Sequence, residues 1–220
     1  SSEDNGCYPT EPIGGKVDAA GGLVQVEVVI QGVSPLLQNA MSLDKLLGIW
    51  DKSKAPKTAE RRTPRDEATS KLHVLPDGRC HVPTTAMYAA LIGAGQFVRL
   101  DGKRQVSTAG KTVLPSMLAL ISTELPLMKH DGVTPSDWQT DIQHGRNPNG
   151  GEAVCIIRPR FDEWQLHLVI EVDRQLMSLA MARNLIDIAG KRVGLLEFRP
   201  SRRGTFGRFV VTQWQVVDNE

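Results

Sequence analysis

The chain has 220 residues, with 26 Lys and Arg against 25 Asp and Glu, and a formal net charge of +1. That balance names no partner by bulk electrostatics, and a composition 40% hydrophobic and 23% charged excludes collagen-like, coiled-coil and low-complexity chains. Apolar runs such as Val28–Ile30 and Leu195–Leu196 fall far short of the ~18 residues of a membrane span, so no membrane partner is expected.

Ser1–Gly22 reads as a flexible arm, with Gly14, Gly15, Gly21 and Gly22, two prolines, and four acids against one lysine. Such a stretch buries little apolar surface and either docks on another subunit or stays mobile. Polar, acidic Ser1–Gly15 is unlike a secretory leader, and a cytoplasmic location is expected. The three cysteines, Cys7, Cys80 and Cys155, are far apart and suggest a reducing compartment without disulfides.

Leu23–Gln31 is predicted as a strand, because Val24, Val26, Val28 and Ile30 alternate with Gln25, Glu27 and Gln31. Gly32 ends it. Ser34 and Pro35 predict a helix start, Ser as N-cap and Pro at N1, with an apolar face of Leu36, Leu37, Met41, Leu43, Leu46, Leu47 and Trp50 behind it. Asp51–Lys71 carries Lys52, Lys54, Lys57, Arg61, Arg62, Arg65 and Lys71 against four acids, and reads as a long solvated insertion.

Pro76-Asp77-Gly78-Arg79 is a turn, followed by short extended Cys80–Val82. Pro83-Thr84-Thr85 opens a helix to about Gly93, with Met87, Ala90, Leu91 and Ala94 on one face. Arg99–Lys111, with Arg99, Lys103, Arg104 and Lys111 around Asp101-Gly102, predicts a basic hairpin or loop. Pro115 and Pro126 break Val113–Leu127 into short strands, and His130–Gly151 reads as a second long loop. Ala153–Ile157 and Trp164–Val172 are strands. Asp173 caps a helix from Arg174 to Ala189 that Gly190 ends. Lys191–Phe198 is extended, and Phe206–Val217 is the last strand.

The order strand, helix, strand, strand, helix, strand predicts an α+β, ferredoxin-like or RRM-like fold, an antiparallel sheet with helices on one face. Residues 23–220 form one domain, with insertions at about 51–71 and 129–151.

The densest local feature is Gly190–Phe209. Six basic residues, Lys191, Arg192, Arg199, Arg202, Arg203 and Arg208, stand against Glu197, interleaved with four glycines and three phenylalanines. Glycines let backbone N–H groups approach a phosphate chain, arginines fork onto phosphate oxygens, and phenylalanines offer faces for base stacking. The same residues also suit a basic hairpin whose Phe198 and Phe209 enter the core.

The strand Leu23–Gln31 with Gly32-Val33-Ser34-Pro35-Leu36, then Gly78-Arg79-Cys80-His81-Val82-Pro83-Thr84-Thr85-Ala86-Met87 leading into a helix, and the late Gly/Arg-rich loop, resemble the RAMP superfamily. Those are the RRM-like subunits of CRISPR antiviral effector complexes. There a Gly-x-x-x-[Ile/Val]-Pro-x-[Ser/Thr] segment opens the first core helix, and a glycine-rich loop before the final strand lies near the RNA backbone. The closing Gly194…Phe198-Arg199-Pro200…Gly207-Arg208-Phe209 is also similar to small proteins of tailed phages. The basic residue that the family places near this helix start is missing from Met87–Gly93.

The resemblance implies a subunit that binds single-stranded nucleic acid, a guide-type RNA or ssDNA, beside other copies of itself or related subunits. Local charge places the strand along Arg199–Arg208 with Lys191 and Arg192, the Arg99–Lys111 segment with Lys103 and Arg104, and the insertion with Lys52, Lys54, Arg61 and Arg62. The alternatives are a phage-derived structural or assembly protein and a metal-independent RNA endonuclease. The latter would use His81 or His73, with Tyr88 or Lys71 as helpers. Adjacent Cys80 and His81 point to opposite faces of an extended segment, and no metal spacing, phosphate loop or dinucleotide fingerprint occurs. No cofactor, no metal and no catalytic residue is assigned.

Overall fold

The computed structural model describes residues 22–41, 43–52, 63–100, 102–146 and 150–217. In chain order the strands and helices begin with β1 (Leu23–Gly32), β2 (Leu36–Leu37), α1 (Leu43–Trp50), α2 (Pro64–Thr69) and α3 (Thr84–Ala94). β3 (Arg99–Leu100), β4 (Arg104–Gln105), β5 (Leu118–Leu120), β6 (Gln139–Arg146) and β7 (Ala153–Phe161) follow. The chain closes with β8 (Gln165–Asp173), α4 (Leu179–Ile188) and β9 (Phe209–Val217).

β1 buries Val26, Val28 and Ile30 completely, every second residue, as its alternation predicts. It pairs antiparallel with β8 on one side and β9 on the other. The main sheet has the order β5-β8-β1-β9, every neighbour antiparallel. Counted over β1, α3, β5, β8, α4 and β9, that is the ferredoxin-like, RRM-like arrangement. Helices α3 and α4 pack on each other, and Met87, Leu91, Leu185 and Ile186 join Val26, Val28, Ile30, Leu166, Leu168 and Ile170 in one core. Burying each such aliphatic side chain contributes about 1.5–3 kcal/mol.

A second sheet, β2-β7-β6, lies beside the first, with α2 packed on β6 and β7. Trp164 ties the two regions: it is fully buried, and its indole N–H donates to the Ser34 carbonyl at 2.9 Å. A β-carbon on Gly32 would run into this indole, so the glycine that ends β1 also leaves room for Trp164.

Several expectations are corrected. Ser34 and Pro35 start no helix. The Ser34 hydroxyl accepts from the Arg208 N–H, and Leu36 and Leu37 are buried as β2 against β7. The helix begins later, at Leu43, and Met41, Leu46, Leu47 and Trp50 are exposed. The insertion contains α2, opened by a capping box between Thr63 and Asp66, with Ala68 fully buried. The expected loop 130–151 contains β6. Asp173 caps only a turn; the helix N-cap is Ser178, whose hydroxyl accepts from Met181 N–H. Gly190 does not end that helix, which runs on as a π-helical turn, Ala189–Val193, and stops at Gly194 with φ +73°. Consequently Lys191–Phe198 is a turn-rich bend rather than an extended segment. The arm up to residue 21 lies outside the described residues, as do Lys54, Lys57, Arg61 and Arg62.

Candidate nucleic-acid interface

The loop from Gly194 to Arg208 is folded onto the β2 end of the molecule by main-chain hydrogen bonds. Leu195 N–H donates to Gly207 O at 2.9 Å, Glu197 N–H to Leu37 O at 3.2 Å, and Gly207 N–H to Pro35 O at 2.8 Å. Phe206 N–H donates to Phe198 O at 3.1 Å, closing the loop on itself. Its tip is a 3-10 turn, Pro200–Arg202, followed by Arg203 in the left-handed region at φ 62°.

The glycines here serve the loop's own packing. A β-carbon on Gly204 would land on the Phe198 carbonyl, and one on Gly207 on the Leu195 carbonyl. The amides of Gly194, Gly204 and Gly207 donate to Ala189, Arg199 and Pro35 carbonyls. The expected phosphate-facing glycine amides are therefore turned to the protein's own chain, and side chains are left to meet an anion.

Arg202, Arg203 and Arg208 are exposed, and among the described residues no carboxylate lies within 4.0 Å of them. Arg199 is half-buried; its guanidinium donates to Leu196 O at 2.5 Å and to the Ser201 hydroxyl at 3.0 Å. Burial lowers its affinity for the proton, repulsion from Arg202 adds to this, and Glu197 opposes it. A chain of aromatic and basic side chains lies behind the tip. Phe198 and Phe206 meet edge to face at 6.4 Å, Arg158 lies 5.8 Å from the Phe198 ring centre, and Arg160 lies 6.0 Å from that of Phe206. Arg158 and Arg160 carry no sequence signal beyond alternating within β7, and Arg158 pairs with Glu197 at 3.6 Å. Arg160 is balanced by Asp162 at 2.6 Å and Asp141 at 3.9 Å.

Lys191 and Arg192 project from the π-helical turn, which packs on the Pro200–Arg202 turn. Arg192 covers Phe97, two residues before the β3–β4 hairpin that carries exposed Lys103 and Arg104. The structure thus connects the C-terminal loop and the hairpin. Lys52 is exposed just past α1. Arg65 is committed elsewhere: it stacks on Trp138 at 3.2 Å and donates to its carbonyl at 3.3 Å.

The candidate histidines come together. His73 and His81 rings meet edge to face at 6.0 Å, and buried Gln38 links their backbones, accepting from His73 N–H and donating to His81 O. Burial holds both imidazoles below their ordinary pKa, and His81 lowers His73 further. Tyr88 and Lys71 are engaged elsewhere. Tyr88 OH donates to Leu118 O at 2.9 Å, and Lys71 Nζ donates to Ile157 O at 2.7 Å and pairs with Glu67 at 3.0 Å. Among the described residues no three His, Cys, Asp or Glu side chains converge as metal ligands, and no helix is long and apolar enough to cross a membrane.

No protein-family model matches the chain, and no curated protein does. Among solved structures it is similar to a chain in the cryo-EM structure of the Type III-B Cmr-beta bound to cognate target RNA, with a TM-score of 0.53 and 10% identity. The two share a fold. The alignment covers 89% of this chain and 61% of that one, so this chain spans less than two thirds of its neighbour's length.

Proposed function

We propose that this protein is a single-stranded nucleic-acid-binding subunit of RAMP type, which assembles with copies of itself or related subunits along a guide-type RNA or ssDNA strand. The observation that carries the reading is the cluster of carboxylate-free Arg202, Arg203 and Arg208 on a loop locked by its own main chain, with Lys191, Arg192, Lys103 and Arg104 on the adjoining turns. The chain that shares the fold comes from an assembly bound to target RNA, which supports the same reading. Affinity comes from phosphate neutralisation and counterion release, so binding is salt-sensitive and nearly indifferent to sequence. The near-zero net charge is compatible with this, because steering depends on the local field of a face.

Fluorescence anisotropy with labelled single strands of unrelated sequence tests the proposal. Binding at low salt that fades steeply as salt rises is the expected result. Failure to bind at low salt favours the second reading, a structural or assembly subunit. The observation behind that reading is α1, whose Leu46, Leu47, Ile49 and Trp50 are exposed, Trp50 to 82%, as a subunit contact requires. No catalytic step is assigned to His73 and His81, because the two side chains expected to assist them bond to main-chain carbonyls.

A further inference from the structure

Phe198 combines three properties. First, its backbone is left-handed, φ 52°, as is that of Leu196 at φ 55°. A bulky residue rarely takes this conformation, and where it does, the surroundings must hold it. Here they do: Glu197 N–H is bonded to Leu37 O, and the Phe198 carbonyl accepts from Phe206 N–H in the space Gly204 leaves. Second, the ring is half exposed. Phe198 keeps 45% of its surface exposed, whereas Phe161 and Phe209 are fully buried. Third, the ring has neighbours on it, with Phe206 against it edge to face and the Arg158 guanidinium 5.8 Å from its centre.

An outward aromatic ring, held by strained backbone and followed within five residues by exposed Arg202 and Arg203, has the parts of a stacking platform: a flat apolar face beside phosphate-binding cations. We propose that Phe198 stacks on one unpaired nucleobase of a bound single strand while Arg202 and Arg203 hold the flanking phosphates. The inference rests on the nucleic-acid-binding reading above and adds the subsite. Any base has a π face, so the subsite requires a base without selecting which one.

The test compares two labelled strands of equal length and charge, an oligothymidylate and the same sugar-phosphate chain lacking bases, against the full chain. Wild type binds the base-containing strand more tightly. Phe198→Ala weakens that binding at least about fivefold and leaves the abasic strand unchanged. Phe198→Tyr, which keeps the ring, retains wild-type affinity for both. Phe198→Leu, which keeps an apolar contact with Phe206 but has no aromatic face, reproduces the selective loss should the alanine variant fold poorly. Equal affinities for the two strands, or a Phe198→Leu variant that loses both alike, overturn the platform while leaving the binding subunit standing. Absence of binding to either strand by wild type overturns both.

Discussion

The guanidinium carbon of Arg192 lies 4.9 Å from the centre of the Phe97 ring. Phe97 ends the 3-10 turn Gly95–Phe97 before the β3–β4 hairpin, and Arg192 belongs to the π-helical turn that packs on the Arg202 turn. One cation–π contact therefore joins two basic segments that are about ninety residues apart in the chain.

Removing either partner should show that link. In urea unfolding, Arg192→Ala and Phe97→Ala are expected to couple by about 0.5–1 kcal/mol in a double-mutant cycle, the size of an exposed cation–π contact. Strict additivity of the two would mean that the contact contributes nothing in solution.

The loop glycines give a second prediction. Gly204→Ala forces a β-carbon onto the Phe198 carbonyl, and Gly207→Ala does the same at Leu195 O, from φ +67°. Each is expected to destabilise the protein by about 2–3 kcal/mol, the range for backbone strain and overpacking. Gly110→Ala meets nothing within 4 Å and is expected to stay within about 0.5 kcal/mol of wild type. Equal melting of all three variants would contradict the close packing assigned to this loop.

The histidine pair predicts a pH dependence. Burial, with mutual repulsion at His73, lowers the pKa of both below the ordinary 6.5. The unfolded chain then binds protons more readily than the folded one just below that value. Their contribution to stability is complete above about pH 6.5 and is lost as pH falls toward the depressed folded values. Melting temperature should drop between about pH 7 and pH 5.5, and less so in a His73→Gln, His81→Gln variant. An identical slope in that variant would assign the loss to other groups.

The legible parts of the fold were those with apolar alternation. β1 and β8 declare themselves because every second residue enters the core, and α3 because Met87, Ala90, Leu91 and Ala94 share a face. β6 was hidden: its one large apolar residue, Ile142, is exposed, and the strand exists through pairing with β7 rather than burial. Ser34-Pro35 mimicked a helix start because N-cap and N1 preferences are local, whereas the Ser34 hydroxyl is taken by Arg208, 174 residues away. The basic loop was legible by composition. The purpose of its glycines was not, since their neighbours, the Phe198 and Leu195 carbonyls, come close only when the loop folds back. Arg158 and Arg160 are illegible for the same reason, since their partners Phe198 and Phe206 lie about forty residues on.

The binding surface is tested most directly by the salt dependence of anisotropy for the Arg202→Ala, Arg203→Ala variant. A labelled strand of about 30 nucleotides, titrated at several salt concentrations between about 50 and about 200 mM, gives the slope of log affinity against log salt. Losing two phosphate contacts should flatten that slope by about 1.4, about 0.7 per contact on a single strand, and weaken unrelated sequences to the same extent. A variant with the wild-type slope and affinity would contradict the account.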